Sequence, residues 1–369
     1  MDRKNNFNLI RLVAAFGVLF FHVYPLTGLE HDPLSFTRWL NFGGLSVRIF
    51  FIVSGFLLTD SLLRNSNFVS FTLARVLRIW PALIGATLFS AFIMGPLISS
   101  DPSYWKHPAT YSYLWSASIF ETRGLLPGVF GSNPIPVVNG SLWTLPYEVF
   151  WYGVLLLSFS TIKTIRLFMV VLFAYVSWVI LTGRGVISPI VANVLVLHAA
   201  ELGMFFTAGV LHRLFRFKGH IALDVAMVGV LVAGVLMSRV DWKPFNISLI
   251  VAIPYLVIRL AYAPYRPFVD LLSKVDISYG LYLYSYPVTQ LVILYLGKDL
   301  GVFLTTVLAT LGTIPLAMLS WFLIEKPSLK LRAILRNESS PAALTKSPVS
   351  KRPEEVSTPV FGRMQSSTL

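Results

Sequence analysis

Cysteine is absent from this 369-residue sequence, and charged residues make up only 13% of it. Without cysteine there is no disulfide, no thiolate nucleophile, no acyl-cysteine intermediate and no cysteine-ligated metal. The sequence also lacks a Walker loop, a dinucleotide-binding fingerprint and a zinc-ligand spacing. These absences exclude thiol chemistry, and they leave no motif for a permanently bound cofactor or a metal.

Apolar residues, in contrast, are abundant. Hydrophobic residues amount to 55% of the chain, aromatic residues to 14%, and the mean hydropathy is +0.70. The net charge is +13, but the basic residues alternate with apolar stretches instead of clustering on one surface. That distribution is typical of membrane-protein loops and not of a nucleic-acid-binding surface. The composition predicts an all-α polytopic membrane protein whose surroundings are the lipid bilayer.

Apolar runs of about 17 to 25 residues predict ten transmembrane helices. They lie near residues 8–27, 44–63, 77–98, 145–161, 165–182, 190–211, 221–238, 245–262, 277–297 and 301–324. The first run has no small-residue cleavage site, so we expect it to remain as a span and not as a signal peptide. Seventeen basic residues then fall on the N-terminal side and seven on the opposite side. By the positive-inside rule, both termini are expected to be cytoplasmic.

Two segments depart from this pattern. Residues 99–142 form a long external loop rich in proline, tyrosine and tryptophan, which indicates an ordered cover on the membrane surface. From residue 337 onward the chain is rich in serine, proline and threonine, which is typical of disorder. We therefore predict a transmembrane domain over residues 1–336 and a disordered cytoplasmic tail over residues 337–369.

Ionisable side chains within the predicted spans are few, and each needs a partner or a function. Arg11 and His22 lie on one face of the first helix, because eleven residues are close to three full turns. The rise of about 1.5 Å per residue separates them by about 16 Å, so they can mark two ends of one internal channel. In the alternative interpretation, Arg11 reaches lipid phosphates and His22 is a satisfied buried histidine.

Further motifs follow Arg11 and His22 in order along the predicted spans. They are FFIVSGF at 50–56, RVLRIWP at 75–81, SLWTLPYE at 141–148, ISYGLYLYSYP at 277–287 and IEKP at 324–327. Together with the Arg-ten residues-His spacing, this series resembles the acyltransferase-3 family of membrane O-acyltransferases over residues 5 to about 330. Three positions depart from the family pattern: Asn8 stands where many relatives have aspartate, Arg48 where an acidic or small residue is common, and Ser285 where histidine is common.

The resemblance implies a bacterial cytoplasmic-membrane enzyme, in a stand-alone form similar to exopolysaccharide, O-antigen and nodulation-factor acetyltransferases. Such an enzyme moves an acyl group, with acetyl expected first, from cytoplasmic acyl-CoA to a carbohydrate hydroxyl. Acyl-CoA would be a co-substrate and not a bound cofactor, and no metal is expected. The acceptor is an exopolysaccharide, a lipopolysaccharide or a lipid-linked glycan. The sequence does not identify the sugar, and it leaves the oligomeric state open.

The donor needs cations at its binding site, because coenzyme A carries several phosphate charges. Arg75 and Arg78 are three residues apart at the cytoplasmic mouth, and guanidinium groups bind phosphate bidentately, although positive-inside anchoring also explains them. Arg11 would hold or polarise part of the donor. His22 would act as general base on the acceptor hydroxyl or would carry the acyl group transiently, and both mechanisms stay open.

Glu148 begins a helix that enters from outside, so we predict that it lies near His22 and orients it, or that it only complements the helix dipole. The predicted acceptor residues are Ser141, Trp143, Tyr147 and Arg48, with interfacial anchoring as the alternative for the aromatic pair. His198 and Glu201 either join this site or form a self-contained pair, and Glu325 is interpreted as structural.

A transporter or flippase of a lipid-linked glycan is the alternative function, although no inverted repeat or pair of broken helices supports it.

Overall fold

The computed structural model describes residues 5–37, 40–64, 67–161, 165–182, 193–216, 219–265 and 268–331. Ten helices of 17 to 23 residues lie in these ranges: α1 (Phe7–Leu26), α2 (Phe42–Arg64), α3 (Phe68–Leu88), α4 (Leu145–Thr161), α5 (Ile165–Thr182), α6 (Asn193–Phe215), α7 (Ile221–Met237), α8 (Trp242–Ala261), α9 (Ser278–Leu296) and α10 (Val302–Ser320). No strand occurs in the described ranges, so the all-α prediction is confirmed. The predicted tail, residues 337–369, lies outside them.

Six helical segments of the described chain are long and apolar enough to cross a membrane. They are Phe7–Leu26, Phe42–Arg64, Phe68–Ile98, Gly140–Phe159, Trp242–Ala261 and Val302–Leu331. Shorter apolar helices at Ile165–Trp178 and Ile221–Met237 add to them. The chain is therefore a multi-pass membrane protein, while the count of ten spans and the side on which the termini lie stay predictions.

Helix α1 lies between α2 and α9, and α2 also packs along α6. The contact between α2 and α6 is close because two glycines face backbone. A Cβ atom added at Gly55 would overlap the carbonyl oxygen of Phe206, and one added at Gly209 would overlap that of Ile52. Small residues at membrane helix interfaces allow such close backbone approach. The glycine of the FFIVSGF motif therefore fixes the position of α2 against α6.

Substituting Gly55 with alanine is expected to lower the melting temperature of the purified protein by several degrees, because the methyl group must push two backbones apart and such overpacking costs about 1–3 kcal/mol. Gly229→Ala in α7 is the matched control, since nothing lies within 4 Å of its added Cβ. Equal melting temperatures for the two variants in the same detergent would contradict this account of the α2–α6 contact.

The long loop after α3 is ordered, as its composition predicts, and contains short helices at Tyr104–Lys106, Pro108–Ser112 and Tyr113–Ser118. A π-helical segment, Phe89–Met94, precedes it, and the carbonyl oxygen of Ala91 there accepts a hydrogen bond of 2.7 Å from the Tyr104 hydroxyl. Burial raises the pKa of Tyr104 to about 12, so the hydroxyl stays protonated and keeps donating at neutral pH. This bond anchors the loop to α3.

The end of the same loop is attached to α9. The side-chain amide of Asn139 donates to the carbonyl oxygen of Leu283 at 2.8 Å, and its Oδ1 accepts from the Ser141 backbone N–H at 3.1 Å. Asn139 thereby caps a 3₁₀ helix, Gly140–Thr144, that leads directly into α4. The SLWTLPYE motif is thus placed against the centre of the helix bundle.

Candidate functional site

Two neighbouring cavities lie beside α1, α2 and α9, the first also lined by α3 and α4 and the second by α6. The first, which we name the arginine cavity, has a volume of about 540 Å³, and its lining includes Arg11, Arg78, Thr144, Glu148, Tyr279 and Tyr282. The second, named the histidine cavity, has a volume of about 780 Å³, and its lining includes His22, Arg48, Ser141, Trp143, His198 and Glu201. Arg11 and His22 therefore face different cavities from one helix.

The arginine cavity is organised by a carboxylate that the sequence analysis missed, Asp276. Its Oδ2 accepts a hydrogen bond from Arg11 Nη2 at 3.0 Å and one from Arg78 Nη2 at 2.8 Å. Its Oδ1 accepts from the Ser278 hydroxyl at 2.6 Å. One aspartate thus bridges two arginines from α1 and α3, and all three charged side chains are less than a quarter exposed.

Burial opposes the charged form of Asp276, but the guanidinium groups of Arg11 and Arg78 and the hydrogen bonds from Ser278 lower its pKa below the ordinary carboxyl value. The carboxylate is therefore ionised at neutral pH and compensates the two cations. Its sequence signal is weak, because it is a single acid just before the ninth predicted span. Two arginines in apolar surroundings nevertheless require a counter-charge, and that requirement points to an acid of this kind.

Arg11 and Arg78 each have one further polar contact besides Asp276. Arg11 Nη2 donates to Asn8 Oδ1 at 2.6 Å, so an amide oxygen one turn away is its second acceptor beside Asp276. Arg78 Nη1 lies 3.4 Å from Glu325 Oε2, and the Ser320 hydroxyl lies 3.2 Å from the other oxygen of Glu325. Glu325 is buried and holds Arg78 in place, which agrees with its structural interpretation.

Glu148 lines the arginine cavity and not the histidine cavity that His22 lines. Its Oε1 accepts a hydrogen bond from the Tyr152 hydroxyl one turn further along α4, and the Ser54 hydroxyl of the FFIVSGF motif lies at 3.5 Å. Glu148 stands in the first turn of α4, which follows directly on the 3₁₀ helix Gly140–Thr144. Glu148 therefore belongs with Arg11.

Arg75 and Arg78 do not face the same cavity. Three residues turn a helix by about 300°, which leaves the two side chains about 60° apart around α3. Arg75 lines a neighbouring apolar cavity of about 480 Å³ between α3 and α4, where its guanidinium lies 5.9 Å from the ring centroid of Phe71. Tyr152, the partner of Glu148, lines this cavity too, so Arg75 remains close to the arginine cavity without lining it.

The histidine cavity contains three buried polar atoms that have no hydrogen-bond partner among the described residues: His22 Nδ1, Arg48 Nη1 and Ser141 Oγ. The His22 ring makes an edge contact with Tyr286 at 4.9 Å between ring centroids. Buried polar atoms are normally paired, so three unpaired ones around one cavity indicate a site for a polar ligand. Hydroxyl-rich molecules offer both the donors and the acceptors that these atoms require.

Arg48 and Glu201 form an ion pair on the wall of this cavity. Arg48 Nη2 and Nε donate to Glu201 Oε1 at 2.6 and 3.2 Å, while the Glu201 side chain stays 32% exposed. Glu201 thus pairs across to α2 and not with His198. The His198 ring packs against Trp143 at 5.0 Å and Tyr147 at 6.1 Å between ring centroids. Of the predicted acceptor residues, Arg48, Ser141 and Trp143 line this cavity, whereas Tyr147 does not and only packs against Trp143 and His198.

The arrangement suits a group transfer between two sites. Paired cations face one cavity, an unpaired imidazole faces the next, and Val47 and Tyr282 line both. Within the described ranges, no group of three or more histidine, aspartate and glutamate side chains is arranged to hold a metal ion.

Comparison with known proteins gives three matches. The sequence matches a family described as an acyltransferase domain over residues 4–322. It is 27% identical over 328 residues to an O-acetyl transferase of Shigella phage Sf6, covering 88% of this chain and 96% of the relative. It is 32% identical over 361 residues to nodulation protein 10 of Rhizobium leguminosarum bv. viciae, covering 90% and 95%. No solved structure matches the sequence significantly.

Proposed function

Because this chain belongs to the acyltransferase-3 family, it is a membrane acyltransferase, and we propose that it transfers an acetyl group from acetyl-CoA to a carbohydrate hydroxyl. The name of the phage relative, an O-acetyl transferase, supports acetyl as the group and oxygen as the acceptor atom. The observation that carries the proposal is the pair of adjoining cavities, one with two arginines and one with the unpaired nitrogen of His22.

The arginine cavity is the proposed donor site. Arg78 would bind a phosphate or carbonyl oxygen of acyl-CoA, with Arg75 nearby as a second cation. Arg11 Nε has no hydrogen-bond partner among the described residues, so it has a donor to offer the thioester carbonyl as negative charge develops there. Glu148, hydrogen-bonded to Tyr152, would balance these cations and keep the site from trapping the anionic product.

The histidine cavity is the proposed acceptor site, and His22 is the proposed general base. Its imidazole takes the proton of the acceptor hydroxyl as the oxygen attacks the thioester carbon. The carbon–sulfur bond then breaks, the thiolate of coenzyme A leaves, and the proton on His22 passes to it. An ester and free coenzyme A are the products, and His22 returns to its neutral form. Trp143 and Tyr147 provide aromatic faces for a sugar ring beside the Arg48–Glu201 pair.

The experiment that tests the proposal uses purified protein in liposomes with radiolabelled acetyl-CoA and a crude polysaccharide or lipid-linked glycan fraction. We expect label in the glycan with native protein and none with heat-inactivated protein. Glycan movement across the membrane without any acyl donor would instead support the transporter. Absence of transfer from acetyl-CoA and from longer acyl-CoA donors, in the presence of an acceptor fraction from the source bacterium, would contradict the proposal.

Substituting Glu201 with glutamine is expected to raise the apparent KM for the acceptor about tenfold while changing the KM for acetyl-CoA by less than twofold. The reason is that the substitution removes the negative charge of the group that accepts hydrogen bonds from Arg48 at the histidine cavity. A hydrogen bond to a charged group contributes about 1.5–3 kcal/mol. Glu121→Gln is the matched control, because it breaks only an exposed pair with Arg123. A change in the donor KM alone would contradict the assignment of the cavity.

A further inference from the structure

Two buried side chains, Val47 of α2 and Tyr282 of α9, line both the arginine cavity and the histidine cavity. We name this pair the partition. We propose that the partition is the specificity determinant for the acyl group, and that Tyr282 and Val47 restrict the enzyme to short acyl chains. The inference rests on the proposed function, because it assumes that donor and acceptor occupy the two cavities.

The chemistry of a thioester places the acyl chain at this partition. In acyl-CoA, the carbonyl carbon follows the sulfur, and the rest of the acyl chain extends beyond that carbon. If coenzyme A enters the arginine cavity and the acceptor oxygen lies beside His22, the carbonyl carbon must reach the boundary that the cavities share. Every carbon beyond it then has to pack against the residues of that boundary. An acetyl group has one such carbon, whereas a butyryl group has three.

Tyr282 is held firmly in the partition. Its hydroxyl donates to the backbone carbonyl oxygen of Ser141 and lies 2.6 Å from the Thr144 hydroxyl oxygen, one at each end of the same 3₁₀ helix. Its ring makes an edge contact with Phe50, with 6.0 Å between ring centroids and 72° between the ring planes. Moving the ring aside would break two buried hydrogen bonds, so extra carbons meet a wall that does not retract. Overfilling such a packed site is unfavourable.

Tyr282 also connects the two cavities through the 3₁₀ helix Gly140–Thr144. Ser141 lines the histidine cavity and Thr144 lines the arginine cavity, and Tyr282 connects the two through its hydroxyl. The ring therefore sets the size limit, while the hydroxyl only fixes the position of the ring. Shortening Tyr282 or Val47 should open the boundary, whereas removing the hydroxyl alone should relax the restriction only in part, because the ring stays but is held less firmly.

The test is a competition between acetyl-CoA and butyryl-CoA, supplied in equal amounts to protein in liposomes with the glycan acceptor, with the products separated by mass spectrometry. We expect the native protein to form mainly acetyl ester. Tyr282→Ala and Val47→Ala should each raise the ratio of butyryl to acetyl product by about tenfold or more, the discrimination that a hydrophobic pocket typically provides. Tyr282→Phe, which keeps the ring but loses both hydrogen bonds of the hydroxyl, should give a ratio between that of the native protein and that of Tyr282→Ala.

Leu202→Ala is the matched control, because Leu202 is buried and lines the histidine cavity but not the arginine cavity. The inference is overturned if both partition variants transfer acyl groups with the native ratio, or if Leu202→Ala changes the ratio as much as they do. Val47→Ala keeps the test decisive if Tyr282→Ala fails to fold. Failure of the native protein to transfer either acyl group contradicts the proposed function, whereas transfer with unchanged ratios contradicts only the role of the partition.

Discussion

Substituting His22 with glutamine is expected to lower kcat for acetyl transfer by about 10²- to 10⁴-fold, the usual contribution of a positioned general base. Glutamine retains hydrogen-bonding groups of similar reach but cannot take up the hydroxyl proton. His22 faces the histidine cavity and its Nδ1 has no partner among the described residues, so little of the fold depends on it. Transfer rates with saturating acetyl-CoA and acceptor provide the measurement.

His212→Gln in α6 is the matched control, because His212 is a half-buried helix histidine that lines neither of the two cavities. It should leave kcat within about twofold of the native value. The fall in rate at acidic pH, where the base becomes protonated, should be present in the native protein and absent from the residual activity of His22→Gln. A His22→Gln variant that is folded and fully active would remove His22 from the mechanism, whether as base or as acyl carrier.

Substituting Asp276 with asparagine is expected to raise the KM for acetyl-CoA at least tenfold and to lower the free energy of unfolding by about 3 kcal/mol. The carboxylate bridges Arg11 and Arg78, and removing one partner from a buried charge cluster leaves uncompensated cations. The two guanidinium groups should then repel each other and lose the geometry that the donor requires. Donor kinetics and thermal denaturation of the purified variant measure the two effects separately.

The matched control is Asp299→Asn, which makes the same change at an exposed aspartate and should alter neither quantity. Because folding lowers the pKa of Asp276, its stabilisation is fully present above the unfolded carboxyl pKa of about 3.9. It should be lost as the pH falls below that value toward the lower pKa of the folded state. An Asp276→Asn variant with native donor KM and native stability would contradict the bridging role.

The helices were predictable because a long apolar run in a membrane protein has few alternatives to a helical conformation. The run at 8–27 corresponds to α1 (Phe7–Leu26), and the run at 301–324 corresponds to α10 together with the π-helical segment Trp321–Glu325. Main-chain groups in a bilayer must pair within their own segment, so an apolar run of this length is helical wherever it lies. The order of helices in space, such as α2 against α6, depends on glycine contacts that no periodicity reveals.

The site was predictable only in part. Spacing on one helix predicts that Arg11 and His22 lie apart, because helix geometry is regular, and the two side chains line different cavities. The bridge from Arg11 to Asp276 spans 265 positions, and a single acid at the end of a loop carries no spacing signal. Glu148 lines the arginine cavity and not that of His22, and its direction depends on the 3₁₀ turn before α4, which has no periodic signal in the sequence. Sequence patterns therefore miss the pairing of Asp276 because it is long-range, and they miss the direction of Glu148 because the backbone before it is irregular.

Equilibrium binding of radiolabelled acetyl-CoA to the purified protein in nanodiscs, without acceptor, tests most directly whether the arginine cavity is the donor site. Arg78→Gln should raise the dissociation constant about tenfold or more, since a charge-assisted hydrogen bond is worth about 1.5–3 kcal/mol, and Arg78→Lys should fall between it and the native protein. Glu201→Gln at the histidine cavity should bind acetyl-CoA as the native protein does. Native affinity in folded Arg78→Gln, or weakened binding in Glu201→Gln alone, would contradict the account.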